Sequence, residues 1–194
     1  VIPDQFIDRT HQRPLTFFSD GVVAHVTMAD PFCNVLSRLL ADEGEALMPE
    51  GRQLHRGGTY LAMEGPAFST RAESNLYRSW GCKVIGMTNH TEARLAREAE
   101  IAYASLAMAT DYDCWQEITE SVSVEMVLDN LKANAFLASK IVSSTAKRIS
   151  TLRPTSNSHT ALQDGLMTAK ERVPKSTREK LDLLTTQYWG AFVA

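Results

Sequence analysis

Residues 101–115, which read IAYASLAMA and then TDYDCW, constrain the fold of this chain more than any other stretch. The first nine residues form an almost unbroken apolar run, which suits a strand buried on both faces of a parallel sheet. Directly after it stand Asp111 and Asp113, with Tyr112 between them. Open α/β sheets bind ligands outside the carboxyl ends of their strands, so an acid at this point is placed for chemistry. Taken alone, Asp111 suits a loop cap equally well.

The stretches upstream supply companions for such a strand. Residues 6–21 are polar and broken by Pro14 and Gly21, which reads as a surface loop. GVVAHVTM (21–28) is a possible strand with His25 in its middle. Asp30-Pro31 then suits the N-cap and first position of a helix, carried to about residue 45 by Phe32, Val35, Leu36, Leu39 and Leu40. GTYLAME (58–64) reads as a strand ended by Gly65-Pro66, and Thr70-x-x-Glu73 is a capping box that opens a helix stopped by Gly81. KVIGMT (83–88) is a third strand, and Asn89-x-x-Glu92 can cap a helix running to Ala99. Strands alternating with helices predict an α/β fold with a largely parallel sheet covered by helices.

From residue 121 the period changes. Val124, Val127, Leu128, Leu131, Ala135 and Ala138 mark one face of a long helix ending near residue 151. A polar loop over 152–161 and helices near 162–171 and 176–189 should follow. Residues 152–194 then form a helical tail on a single domain spanning 1–194.

Charge narrows the partners. With 194 residues, 22% charged and a net charge of −3, the chain carries no basic block that would suit nucleic acid or an anionic membrane. Its three cysteines, Cys33, Cys82 and Cys114, are scattered and form no C-x-x-C pair, which fits a reducing compartment and no structural zinc. The five histidines show no metal-ligand spacing. No apolar run reaches the roughly 18 residues of a membrane span, and a cytoplasmic location is expected.

If the strands are parallel neighbours, three strand ends converge on one rim: Glu64 to Ser69, Met87-Thr88 and Asp111 to Asp113. An aromatic ring, a thioether, a hydroxyl and a carboxylate would meet there, an inventory that suits a nucleoside. Each residue also has an ordinary structural reading: Phe68 as core, Met87 as gap-filler, Thr88 as cap. Neither a G-x-G-x-x-G nor a Walker loop is present.

DQFIDRT (4–10), MADPFC (28–33), MEGPAFSTRAES (63–74), GMTN (86–89), LAREAEIAYASLAMATDYDCW (95–115) and SVSVEMVL (121–128) carry a resemblance. In order and spacing, from residue 4 to about residue 134, they resemble the methylthioadenosine phosphorylases of the trimeric purine nucleoside phosphorylase branch. EGP-x-F-S-x-R-A-E and TDYDCW are the specific motifs. The resemblance implies a three-layer α/β/α nucleoside phosphorylase-type fold with a central mixed, largely parallel sheet, incomplete at its N-terminal side. It implies phosphorolysis of S-methyl-5′-thioadenosine to adenine and 5-methylthioribose 1-phosphate by a homotrimer, with phosphate as co-substrate and no cofactor or metal.

Carried over residue by residue, Phe68 would face sugar and base, Met87 the ribose hydroxyls, and Thr88 the phosphate. Asp111 would hold and protonate the purine, with Tyr112 and Asp113 beside it. Ser69 would tune specificity for the base and Val124 for the 5′ group, with Val127 and Leu128 near the methylthio end. His25 would enter a neighbouring subunit's pocket. The chemistry at Asp111 is coherent: a protonated carboxyl can donate to N7 and accept from the 6-amino group, matching adenine's edge and not that of a 6-oxopurine. Holding that proton needs burial, which the end of an apolar strand would supply.

The family's glycine-rich turn, its Arg-His pair and its Thr-Ala/Asn-Cys-Gly-Ser phosphate segment are not in this sequence. The expectation is therefore a chain lacking the N-terminal third, carrying the nucleoside half of the site and inactive alone, since Thr88 by itself cannot neutralise a phosphate dianion. Thr91-Glu92 also departs from the Pro-Glu common after the Met-Thr strand. A phosphorylase for 6-oxopurine nucleosides and a non-catalytic nucleoside-binding or assembly module stand as alternatives.

Overall fold

The computed structural model describes residues 1–116 and 124–192, with side chains described from 128 onward in the second stretch. Three strands, β1 (Gln5–Arg9), β2 (Thr59–Met63) and β3 (Cys82–Gly86), form one parallel sheet in the order β1-β2-β3. Ile7 pairs with Leu61, and Leu61 pairs with Ile85. The composition of β2 explains its place: TYLAM is apolar at nearly every position, and Tyr60, Leu61 and Ala62 are buried, as a strand flanked on both sides requires. Helix α1 (Asn34–Ala46) connects β1 to β2, α2 (Arg71–Ser79) connects β2 to β3, and α3 (His90–Glu98) follows β3. The long α4 (Val124–Leu152) packs on α1, and α5 (Lys175–Trp189) closes the described chain.

The α2 capping box forms as expected: Thr70 Oγ accepts from Glu73 N, and the Glu73 carboxylate accepts from Thr70 N. Gly81 follows the end of α2 with φ +80°. Gly86 allows a close approach, because a Cβ there would lie 1.8 Å from the Tyr60 hydroxyl on the neighbouring strand.

Five expectations fail. The run 101–109 is half-buried and joins no ladder. Its backbone bonds go to single residues, Cys33 N donating to Tyr103 O and Ala107 exchanging bonds with Val1. A strand needs successive partners, and among the described residues none runs beside it. Conversely, residues 6–9, expected in the surface loop 6–21, belong to β1 (Gln5–Arg9), because pairing along β2 outweighs their mixed composition. Helix α1 starts at Asn34, with Cys33 at the N-cap, instead of at Pro31 after an Asp30 cap, since buried Arg97 holds the Thr27 and Asp30 carbonyls in a loop. Residues 21–28 make only an isolated antiparallel bridge, Ala24 to Leu166. Residues 162–171 hold no α-helix; the neighbouring turns are 3-10 helices at Asn157–Thr160 and Lys170–Arg172. There Glu100 takes the Leu162 N–H.

Two apolar clusters carry the packing. Ile2, Leu40, Ala41 and Ile141 join α1, α4 and the first residues of the chain. Phe18, Val22, Leu162, Val173, Leu181 and Trp189 join the tail to the loop before α1. Among the described residues no helix is long and apolar enough to cross a membrane.

Candidate functional site

The carboxyl ends of β2 and β3 lie side by side, and a loop residue ties them together. Arg13 donates from Nη2 to the Glu64 carbonyl at 2.8 Å, from Nη1 to the Met87 carbonyl at 2.9 Å, and from Nε to Glu64 Oε1 at 2.9 Å. Glu64 Oε2 accepts from His11 N at 2.6 Å and Gln12 N at 3.1 Å. The His11 N–H and then the Arg13 guanidinium pull the Glu64 pKa down to about 2. Met87 sits against Gly65, where a Cβ would meet its sulfur at 2.7 Å, so only glycine at 65 (φ +76°) leaves room for the thioether.

The TDYDCW segment reaches the same rim from a loop and is held there by α2. Buried Ser74 donates to Asp113 Oδ2 at 2.5 Å, and Cys114 N donates to Asp113 Oδ1 at 2.8 Å. The Cys114 thiol donates to the Ser69 carbonyl at 3.4 Å, and the Arg78 guanidinium lies 3.6 Å from the centroid of the Trp115 ring. The capping box sets the phase of α2, and that phase turns Ser74 and Arg78 toward this loop.

These contacts bring Ser69, Met87 and Asp113 into one tethered rim. Phe68 is 86% exposed and Tyr112 68% exposed, so both rings are available at the surface instead of serving as core. Thr88 is exposed. Asp111 is exposed too, contrary to the burial expected of it, because the run before it is no buried strand. Among the described residues its carboxylate accepts one hydrogen bond, from Thr110 Oγ at 2.6 Å. The Ser69 hydroxyl donates to the Met63 sulfur at 3.5 Å. Asn89, expected to cap α3, instead accepts from the Tyr103 hydroxyl at 2.9 Å, with no side-chain cap bond.

His25 is exposed and lines a separate cavity of about 340 Å³ with Phe18, Met28, Arg94 and Glu98; no rim residue lines it. Leu128 is 46% exposed near the start of α4, and the side chains of Val124 and Val127 lie outside the described residues. Beneath the rim, His90 is fully buried; its Nε2 lies 3.4 Å from Asp8 Oδ2 and 3.2 Å from the Thr10 hydroxyl. Burial lowers the His90 pKa, against the opposing pull of Asp8.

Residues 1–147 match the family model of the phosphorylase superfamily. The chain belongs to the phosphorylase superfamily. The superfamily match ends inside α4, and the tail from residue 153 lies beyond it. Among its relatives, S-methyl-5′-thioadenosine phosphorylase of Prochlorococcus marinus is 76% identical, over 99% of this chain and 61% of that protein. The enzyme of the same name from Thermosynechococcus vestitus is 56% identical, over 97% of this chain and 65% of its own length. The chain thus spans less than two-thirds of the relatives it matches. The crystal structure of a methylthioadenosine phosphorylase from an Antarctic soil metagenomic library superposes with a TM-score of 0.90 at 45% identity. It covers 94% of this chain, which spans 64% of it. The Schistosoma mansoni methylthioadenosine phosphorylase in complex with adenine gives 0.71 at 28% identity, covering 86% of this chain and 65% of that one. The three-stranded parallel sheet is thus part of an α/β phosphorylase-superfamily fold.

Sequence reading missed Arg13, Ser74 and Arg78. Arg13 carries no local signal, since its partners stand 51 and 74 residues away. Ser74 lies inside the MEGPAFSTRAES motif and on a helix whose start was legible, so its face could have been deduced.

Proposed function

We propose that this chain is the nucleoside-binding part of an enzyme that cleaves S-methyl-5′-thioadenosine with phosphate, yielding adenine and 5-methylthioribose 1-phosphate. The observation that carries the reading is the tethering of the TDYDCW loop to α2 through Asp113 and to the Ser69 carbonyl through Cys114, with the Asp111 carboxylate exposed on that same loop. The names of the relatives and the adenine in a superposed structure point the same way.

In this reading Phe68 stacks on the base and sugar, Met87 lies against the ribose, and Thr88 meets the phosphate. Asp111, once covered by substrate, donates to N7 and accepts from the 6-amino group as adenine departs. Tyr112 flanks the base, and Asp113 touches it only through the loop it anchors. Ser69 tunes the choice of base, while Val124, Val127 and Leu128 line the 5′ end. The whole protein would be a cytoplasmic homotrimer that uses phosphate as co-substrate without a cofactor, with His25 entering a neighbour's 5′ pocket.

The test is phosphate-dependent release of adenine from methylthioadenosine by the full-length protein, compared with release of hypoxanthine from inosine. Faster turnover of methylthioadenosine is expected. A preference for inosine would overturn the assignment of Asp111 and Ser69, and turnover without phosphate would overturn the reaction type.

A further inference from the structure

Arg13 and Glu64 form a clamp whose grip falls on main chain, not on another surface charge. One guanidinium holds the carbonyl of residue 64, just past β2, and that of Met87, just past β3. It thus joins two adjacent parallel strands where both have left their ladder and no longer hold one another. The third bond, Nε to Glu64 Oε1, fixes the plane of the guanidinium, and Glu64 Oε2 gathers the N–H groups of His11 and Gln12, which lead into Arg13. The side chains of both residues are mostly buried, at 24% and 18% exposure, so the pair is shielded from competing water. Fixing the Met87 carbonyl also fixes its side chain against Gly65 and the direction in which the chain continues to Thr88.

From this geometry we infer that Arg13 and Glu64 are positioning residues for the sugar-and-phosphate side of the site, acting through Met87 and Thr88 and not on the base. The inference rests on the nucleoside-cleaving reading above. A planar, two-sided fork is required, because Nε and Nη2 together hold Glu64 while Nη1 reaches the Met87 carbonyl; a lysine ammonium at the end of a flexible stem cannot hold all three acceptors at once.

The experiment is calorimetric titration of the full chain, wild type, Arg13→Lys and Glu64→Gln, with methylthioadenosine and separately with free adenine, alongside thermal melts. Loosening Met87 by a fraction of an ångström should weaken methylthioadenosine binding about tenfold while adenine binding stays within about twofold. A role confined to folding would weaken both ligands alike, or neither, and either outcome in both variants overturns the clamp while leaving the functional reading intact. Failure of both variants to fold makes the pair structural and likewise overturns it. A wild type that binds neither ligand overturns the functional reading itself, and the clamp's role with it.

Discussion

Asp113 anchors the TDYDCW loop, and this division of labour leaves the Asp111 carboxylate open to a ligand. The two acids stand two residues apart, yet one accepts from Ser74 and the Cys114 N–H while the other accepts only from its neighbour Thr110 among the described residues. In the proposed reading, replacing Asp111 with asparagine in the full-length protein should therefore cut adenine release about 100-fold or more, the usual worth of a general acid. Its melting temperature should stay within about 2 °C of wild type, as expected of an exposed site. Comparable losses in turnover and stability would instead make Asp111 a cap. Glu64 offers a test of a different kind. Its pKa falls from the ordinary 4.5 to about 2 on folding, so its contribution to stability is complete above pH 4.5 and is lost as the pH falls through about 2. The stability difference between wild type and Glu64→Gln, measured by denaturant titration, should thus narrow steadily from pH 5 to pH 2. A constant difference would mean that the hydrogen bonds of Glu64 do not depend on its charge.

At the scale of elements, local signals were legible and long-range pairing was not. The Thr70–Glu73 capping box, the apolar β2 and the helical period after residue 121 each act within a few residues, and all appear in the structure at or near their expected bounds. Residues 6–9 and 101–109 were misread in opposite directions, because membership of a sheet depends on what lies alongside: β2 lies beside the first, and among the described residues nothing runs beside the second. Ser69, Met87 and Asp113, which the structure ties together, stand in motifs quoted from the sequence, whereas the clamp at Arg13 left no such signal, its contacts being set by tertiary structure alone. Packing between strands supplies its own test. Gly86→Ala places a methyl group 1.8 Å from the Tyr60 hydroxyl, between β2 and the end of β3. This overpacking should cost about 1–3 kcal/mol, readable by urea denaturation. The double variant with Tyr60→Phe should recover part of the loss, and an unchanged midpoint in Gly86→Ala would show that Tyr60 readily moves aside.

Over the whole molecule, Ser69, Met87 and Asp113 are tied into one rim, and in the proposed reading Thr88 is the residue assigned to phosphate. The tail, held to residues 18–26 by a buried cluster around Leu162, lies outside the superfamily match and buttresses the loop that begins just beyond Arg13. That arrangement makes base recognition a property this chain should show without turnover. The direct measurement is calorimetric titration of the chain with adenine and with hypoxanthine, which differ chiefly in the edge facing Asp111. Adenine should bind at least about tenfold tighter, since a site built to accept from the 6-amino group is left unpaired by a 6-oxo group. Equal affinities, or tighter binding of hypoxanthine, would contradict the role assigned to Asp111.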